Sequence, residues 1–201
     1  MKKLSILLVI AGLILLGIGA YQWVKTTRAQ HESLAEAKEL LHKNKQAEDA
    51  STSTVSKDST FTFQPGVGET VGLLHIPKLD SDLPIVEGTD EDELEKGVGH
   101  YKGTAYPQQR DQIVLSGHRD TVFRRMGELE IGDILTMQLP YGDFSYEIVH
   151  TKIVDADDRT VISSTSPNEE LTVTTCYPFS YIGDAPERYI IKALPVDGGG
   201  K

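Results

Sequence analysis

The sequence predicts a mainly β fold: a closed or nearly closed antiparallel barrel of about eight short strands, behind an N-terminal transmembrane helix and a stalk. Three observations lead there. Between positions 71 and 194 short apolar or β-branched runs recur with Gly, Pro or Asp between them, and helix signals in that region are brief. One such run, Thr172, Val173, Thr174 and Thr175, is β-branched throughout and ends in the lone cysteine, Cys176. Ahead of them all, Lys2 and Lys3 precede an apolar run from Leu4 to Ala20.

That first run is read as a membrane anchor over 1–28. With Val24 included it spans roughly the 20 residues a bilayer core needs, and Tyr21 and Trp23 fall where an aromatic belt sits. A cleavable leader would carry a shorter apolar region and a clear small-x-small site, of which Gly17, Gly19 and Ala20 offer only a weak version. Basic residues flank both ends. The simplest topology keeps the short lysine-bearing tail inside, giving a single-pass cell-membrane protein with an extracytoplasmic domain. Residues 29–60 read as juxtamembrane stalk and linker. The stalk is helical in propensity to about residue 50, with Leu34, Ala37, Leu40 and Leu41 at helical spacing on a solvated helix, and 51–60 is a Ser/Thr-rich linker. The folded domain is expected over 61–196, followed by a flexible tail at 197–201.

Within the domain, strands are expected at 71–76, 83–86, 112–116, 134–139, 144–150, 152–156 and 188–194, with one more ending at Cys176. Pro140, Tyr141, Gly142 and Asp143 form a four-residue hairpin connection. A capping-box pattern from Thr89 to Asp92 opens a short helix through Lys96, and 122–126 forms another helical turn.

A formal net charge of -10 argues against a nucleic-acid partner. Outside the cytosol a structural cysteine is usually paired, and Cys176 has no second cysteine to pair with. Reactivity is one reason to keep such a thiol; an intermolecular disulfide is another. A thiolate nucleophile needs a base, and six histidines are available. His31 and His42 lie on the stalk, His75 inside a strand, His150 at the end of a hairpin strand, and His100 and His118 at glycine-bearing turns. His118 is preferred, because Ile113, Val114 and Leu115 carry it to a strand end as the β-branched run carries Cys176. Arg188 opens a strand able to pair beside the Cys176 strand, and a fixed guanidinium stabilises the negative charge that acyl transfer builds. The alternative for Arg188 is a surface ion pair with Glu187 or Asp184. Thr175 either shapes the substrate site or faces the core. Asp120 stays outside the catalytic set, as a partner of Arg119 or a solvated residue. The acidic residues Asp80, Asp82, Glu87, Asp90, Glu91, Asp92, Glu93 and Glu95 read as solvated carboxylates near a helix start rather than a calcium site. No metal and no cofactor are expected.

Three motifs now stand together: Leu115-Ser116-Gly117-His118-Arg119-Asp120, Thr172-Val173-Thr174-Thr175-Cys176 and Glu187-Arg188-Tyr189. They resemble those of the sortases, the membrane-anchored cysteine transpeptidases of Gram-positive cell surfaces, with Val173 where that family's T-L-x-T-C signature has leucine. The Cys-Tyr-Pro continuation and short connections look most like class D members. The resemblance implies an eight-stranded sortase barrel that recognises an LPXTG-like sorting signal of secreted surface proteins and cleaves it after its threonine. The acyl group then passes to an amine of a cell-wall precursor. It assigns Cys176 as nucleophile, His118 as general acid and base, and Arg188 as the group that positions substrate and stabilises the oxyanion. The loop 155–168 is expected to border the peptide groove. Two other readings stay open: an extracytoplasmic cysteine peptidase that hydrolyses its thioester, and a non-enzymatic stalked surface-binding module with Cys176 in the core.

Overall fold

A computed structural model describes residues 2–50, 63–181 and 183–196. The linker expected at 51–60 and the tail at 197–201 lie outside the described residues. A single helix, α1, runs from Lys2 to Ala50 without a break. Its large apolar side chains from Leu4 to Val24 are exposed, and the helix is long and apolar enough to cross a membrane. Beyond them the expectation of a solvated stalk is corrected. Ser33 and Ala37, one turn apart, are buried against the barrel, because two small side chains on one face let the helix backbone approach closely. The Thr70 hydroxyl donates to Glu36 at 2.7 Å, and Lys25 pairs with Glu95 at 2.7 Å.

The domain is a closed barrel of eight strands: β1 (Thr70–Ile76), β2 (Ser81–Glu87), β3 (Val98–His100), β4 (Gln112–Gly117), β5 (Ile134–Leu139), β6 (Gly142–Asp155), β7 (Glu170–Tyr177) and β8 (Glu187–Pro195). Around the barrel the order is β1-β2-β3-β4-β7-β8-β6-β5. Closure leaves no unpaired sheet edge. The expected antiparallel barrel needs one correction, since β2 with β3 and β4 with β7 are parallel pairs. Each parallel pair requires a crossover. The first is a short helix, α2 (Glu91–Lys96), which starts after Asp90 as its acidic first turn suggests.

Two departures from the expected strands go beyond a shift of one or two residues at an end. The runs expected at 144–150 and 152–156 are one strand, β6, which keeps pairing with β8 through a register shift between Ile148 and His150. The segment 98–100, read as a turn, is strand β3. The β5–β6 hairpin closes on Pro140 and Tyr141 alone, with Leu139 opposite Gly142. Inside the barrel, Leu74, Ile85, Leu115, Met137, Ile148 and Leu171 are fully buried, each contributing roughly 1.5–3 kcal/mol of transfer free energy.

On β4 and β7 the opposite face is buried too. Val114 and Thr172 are inaccessible because the connection from β6 to β7 folds over them. Gln112 pins that connection, donating to the Val161 carbonyl and accepting from the Ser163 amide, both at 2.8 Å. Asp111 accepts from the Thr165 and Ser166 amides and from the Ser164 hydroxyl.

Candidate active site

The site follows from two pairings. Strands β4 and β7 run side by side in parallel with Leu115 opposite Val173 and Gly117 opposite Thr175. Leu115 and Val173 point into the core, so Ser116 and Thr174 point outward, and both are half-buried. His118 is the residue after β4, leaving the sheet level with Cys176 on β7. On the other side, β7 and β8 pair antiparallel with Cys176 opposite Arg188. Cross-strand partners share a face with Cβ atoms about 5 Å apart. Cys176 and Arg188 therefore stand on the outer face, as Thr174 and Ile190 do, rather than inside the barrel. The thiol is free and half-buried; His118 and Arg188 are half-buried as well. Three adjacent strand ends thus carry all three side chains expected to do the chemistry.

Local contacts fix these ends. Thr175 is buried, and its hydroxyl donates to the Gly117 carbonyl at 2.7 Å, tying β7 to β4 one residue before the thiol and the imidazole. Gly117 has no room for a side chain: a Cβ there would lie 2.6 Å from the ring of Phe123, whose amide donates to the His118 carbonyl at 3.0 Å. The chain after His118 thus doubles back and buries Phe123 beneath the strand end. Arg188 donates from Nη1 to the Ala185 and Glu187 carbonyls at 3.1 and 2.9 Å, rather than to the carboxylates of Glu187 or Asp184. Tyr177, Phe179 and Tyr189 stack edge and face at 5.4–6.1 Å, closing the barrel mouth beside the site.

Sequence reasoning missed Arg119. It was weighed only as a partner for Asp120, but its guanidinium donates to the Pro178 and Gly183 carbonyls at 3.1 and 2.9 Å and lies over the Tyr181 ring. Asp120 is exposed, and its carbonyl accepts from Arg124. Carbonyls of a distant loop leave no mark in sequence, so no pattern pointed to this contact. The tie of the β6–β7 connection to Asp111 and Gln112 was missed for the same reason. At the start of that connection the Ala156 amide donates to the Pro186 carbonyl, two residues before Arg188, at 2.9 Å.

The acidic stretch is also corrected. Glu87 and Glu93 are buried, not solvated. Glu87 accepts from the Tyr106 hydroxyl at 2.7 Å and meets His100 Nδ1 at 2.6 Å, and the His100 and Tyr106 rings stack at 4.0 Å. Burial pushes the Glu87 carboxyl up, but the hydrogen bonds from His100 and Tyr106 prevail and hold it below its ordinary value. This cluster lies at the ends of β2 and β3, where Glu87 is opposite His100 and His100 is opposite Leu115 of β4. Among the described residues no group of three or more His, Cys, Asp or Glu side chains is placed to hold a metal ion.

Comparison with known proteins bears on this arrangement. The model of the sortase domain matches residues 74–196. Sortase D of Bacillus subtilis (strain 168) is 53% identical over 190 residues, covering 94% of this chain and 96% of that protein. The catalytic domain of Bacillus anthracis SrtD is 43% identical, with a TM-score of 0.58 over 73% of this chain and 100% of that one. A Clostridium perfringens Sortase D5 transpeptidase shares the fold, with a TM-score of 0.67 at 24% identity over 84% of this chain and 99% of that one. A domain match over more than half the chain, and a relative alike over nearly its whole length, lead to one conclusion: the protein belongs to the sortase family of cysteine transpeptidases.

Proposed function

We propose that the protein cleaves an LPXTG-like sorting signal after its threonine and transfers the acyl group to a cell-wall amine outside the membrane. The observation that carries this reading is the arrival of Cys176, His118 and Arg188 at three neighbouring strand ends, with thiol and guanidinium on one outward face. Cys176, as thiolate, attacks the threonine carbonyl carbon, and the electron pair moves onto oxygen. Arg188 stabilises that oxyanion; its Nη1 holds the Ala185 and Glu187 carbonyls while Nε and Nη2 provide further donors. His118 gives its proton to the departing amine, leaving a thioester. An incoming amine then attacks the thioester, loses its proton to His118 and releases the thiolate. Thr175 shapes the site through the strand ends it ties together. The exposed apolar helix with Tyr21 and Trp23 at its outer end supports a membrane-anchored domain on the extracytoplasmic side.

The test incubates the protein with a sorting-signal peptide, with and without an amine nucleophile, and follows both products by mass. Amine in the product supports transpeptidation. Hydrolysis product alone at saturating amine favours the peptidase reading. A Cys176 thiol that resists alkylation until the protein unfolds favours the binding module.

A further inference from the structure

The segment joining β7 to β8 follows the thiol directly, yet little holds it down. Ser180, Tyr181, Gly183 and Asp184 are exposed, and among the described residues its backbone hydrogen bonds are few: the Tyr181 amide donates to the Pro178 carbonyl at 3.2 Å and, at the far end, the Pro186 carbonyl accepts from the Ala156 amide. Among the described residues of the segment none pairs in the sheet, and Phe179 is the one packed on the core. Side-chain donors supply the rest. Arg119 reaches both the Pro178 and the Gly183 carbonyls and covers the Tyr181 ring at 5.8 Å, and Arg188 holds Ala185 and Glu187. Arg119 is the residue after His118. One guanidinium therefore joins the loop behind the thiol to the strand end that carries the imidazole.

We propose that Arg119 is a positioning residue that straps the 178–183 loop against the end of β4 and thereby fixes the width of the cleft in which peptide meets Cys176. The planar fork is suited to this, since two N–H groups directed along different lines span two carbonyls that a single ammonium cannot span in the same way. The Pro178 contact is part-buried and the Gly183 contact exposed, so both carbonyls can turn to water once the guanidinium is gone, which favours an open loop. A loosened loop exposes the peptide to solvent and weakens its binding while leaving the reacting groups on their strands. The loss thus falls on KM more than on kcat.

This rests on Cys176 as the nucleophile, so two readouts are used on the full chain. In R119M, amide exchange over residues 179–185 is expected to rise by about tenfold or more while β4, β7 and β8 keep their protection. KM for a sorting-signal peptide is expected to rise about tenfold with kcat within about threefold of wild type. R119K is expected to restore neither. Unchanged loop exchange in R119M, exchange rising equally through all three strands, or full rescue by lysine would each overturn the strap. Absence of any thioester on wild-type Cys176 would overturn the functional reading alone, because loop exchange still decides whether Arg119 holds the loop.

Discussion

Cys176 and Arg188 share an outward face because they are cross-strand partners, and His118 joins them because parallel pairing brings Gly117 beside Thr175. If these side chains act as proposed, removing each has its own signature in peptide turnover. C176S is expected to abolish it, since the hydroxyl is a far weaker nucleophile in the same position. H118A is expected to lower kcat by about 10²–10⁴, the range for losing a positioned acid and base. R188A is expected to cost about 10²–10³, with R188K recovering little because one ammonium cannot hold the loop carbonyls and the oxyanion together. Activity of R188A within about twofold of wild type would remove the guanidinium from the mechanism. A different residue governs pH dependence of stability. Glu87 is held below its ordinary carboxyl value in the fold, so it contributes stability above its unfolded value of about 4.5, and that contribution is lost as pH falls through the lower folded value. The stability gap between wild type and E87Q, followed by chemical unfolding, should therefore shrink as pH drops below about 4.5. A gap that widens with acid contradicts the assignment.

At the level of elements, glycine and aspartate hold the site's edges. G117A pushes a methyl group into Phe123 and should shift the turn that carries His118, costing about 1–3 kcal/mol of stability as overpacking does. Its turnover should fall further than that destabilisation explains, whereas a fall that matches it would make Gly117 structural only. D111A leaves the Thr165 amide and the Ser164 hydroxyl without their acceptor and the Ser166 amide with the Ser164 hydroxyl oxygen at 3.3 Å. A loss of about 1–3 kcal/mol and faster exchange at 163–166 are expected. The elements also show what sequence can reveal. The strands bearing Cys176, His118 and Arg188 were legible because β-branched and apolar runs end there in residues of distinct chemistry. Strand β3 was not, since it is three residues long with Gly99 at its centre, too short for Val98 to set a pattern, and it is extended because it pairs with β2 and β4. The break read inside β6 is a bulge, which shifts the alternation of faces at Val149 and so imitates a turn. The parallel pairing of β4 with β7 and the Arg119 strap depend on partners some 60 residues away, which local pattern does not encode.

The whole molecule joins a helix long and apolar enough to cross a membrane to a catalytic barrel, and α1 runs unbroken as far as Ala50. Because Ser33 and Ala37 are buried on the barrel, the domain is seated on α1 rather than swinging from it. Between the Gly19, Trp23 and Gln30 face of α1 and the turn from Asp120 to Arg125 lies a groove of about 690 Å³, so the His118 end of the barrel faces the part of α1 that leaves the apolar run. A37E forces a charge into that contact and is expected to strip exchange protection from residues 29–43 while leaving the barrel's own protection unchanged. Unaltered protection in that segment would mean the helix does not depend on the barrel. The central claim concerns the convergence of thiol, imidazole and guanidinium, and acyl trapping tests it most directly. The protein is mixed with a sorting-signal peptide, quenched in acid and fragmented to locate the adduct by mass. The account predicts a peptide acyl group, cut after threonine, on Cys176 in the wild type and a greatly reduced yield in H118A and R188A. An adduct on another residue, or equal yields in all three proteins, would contradict it.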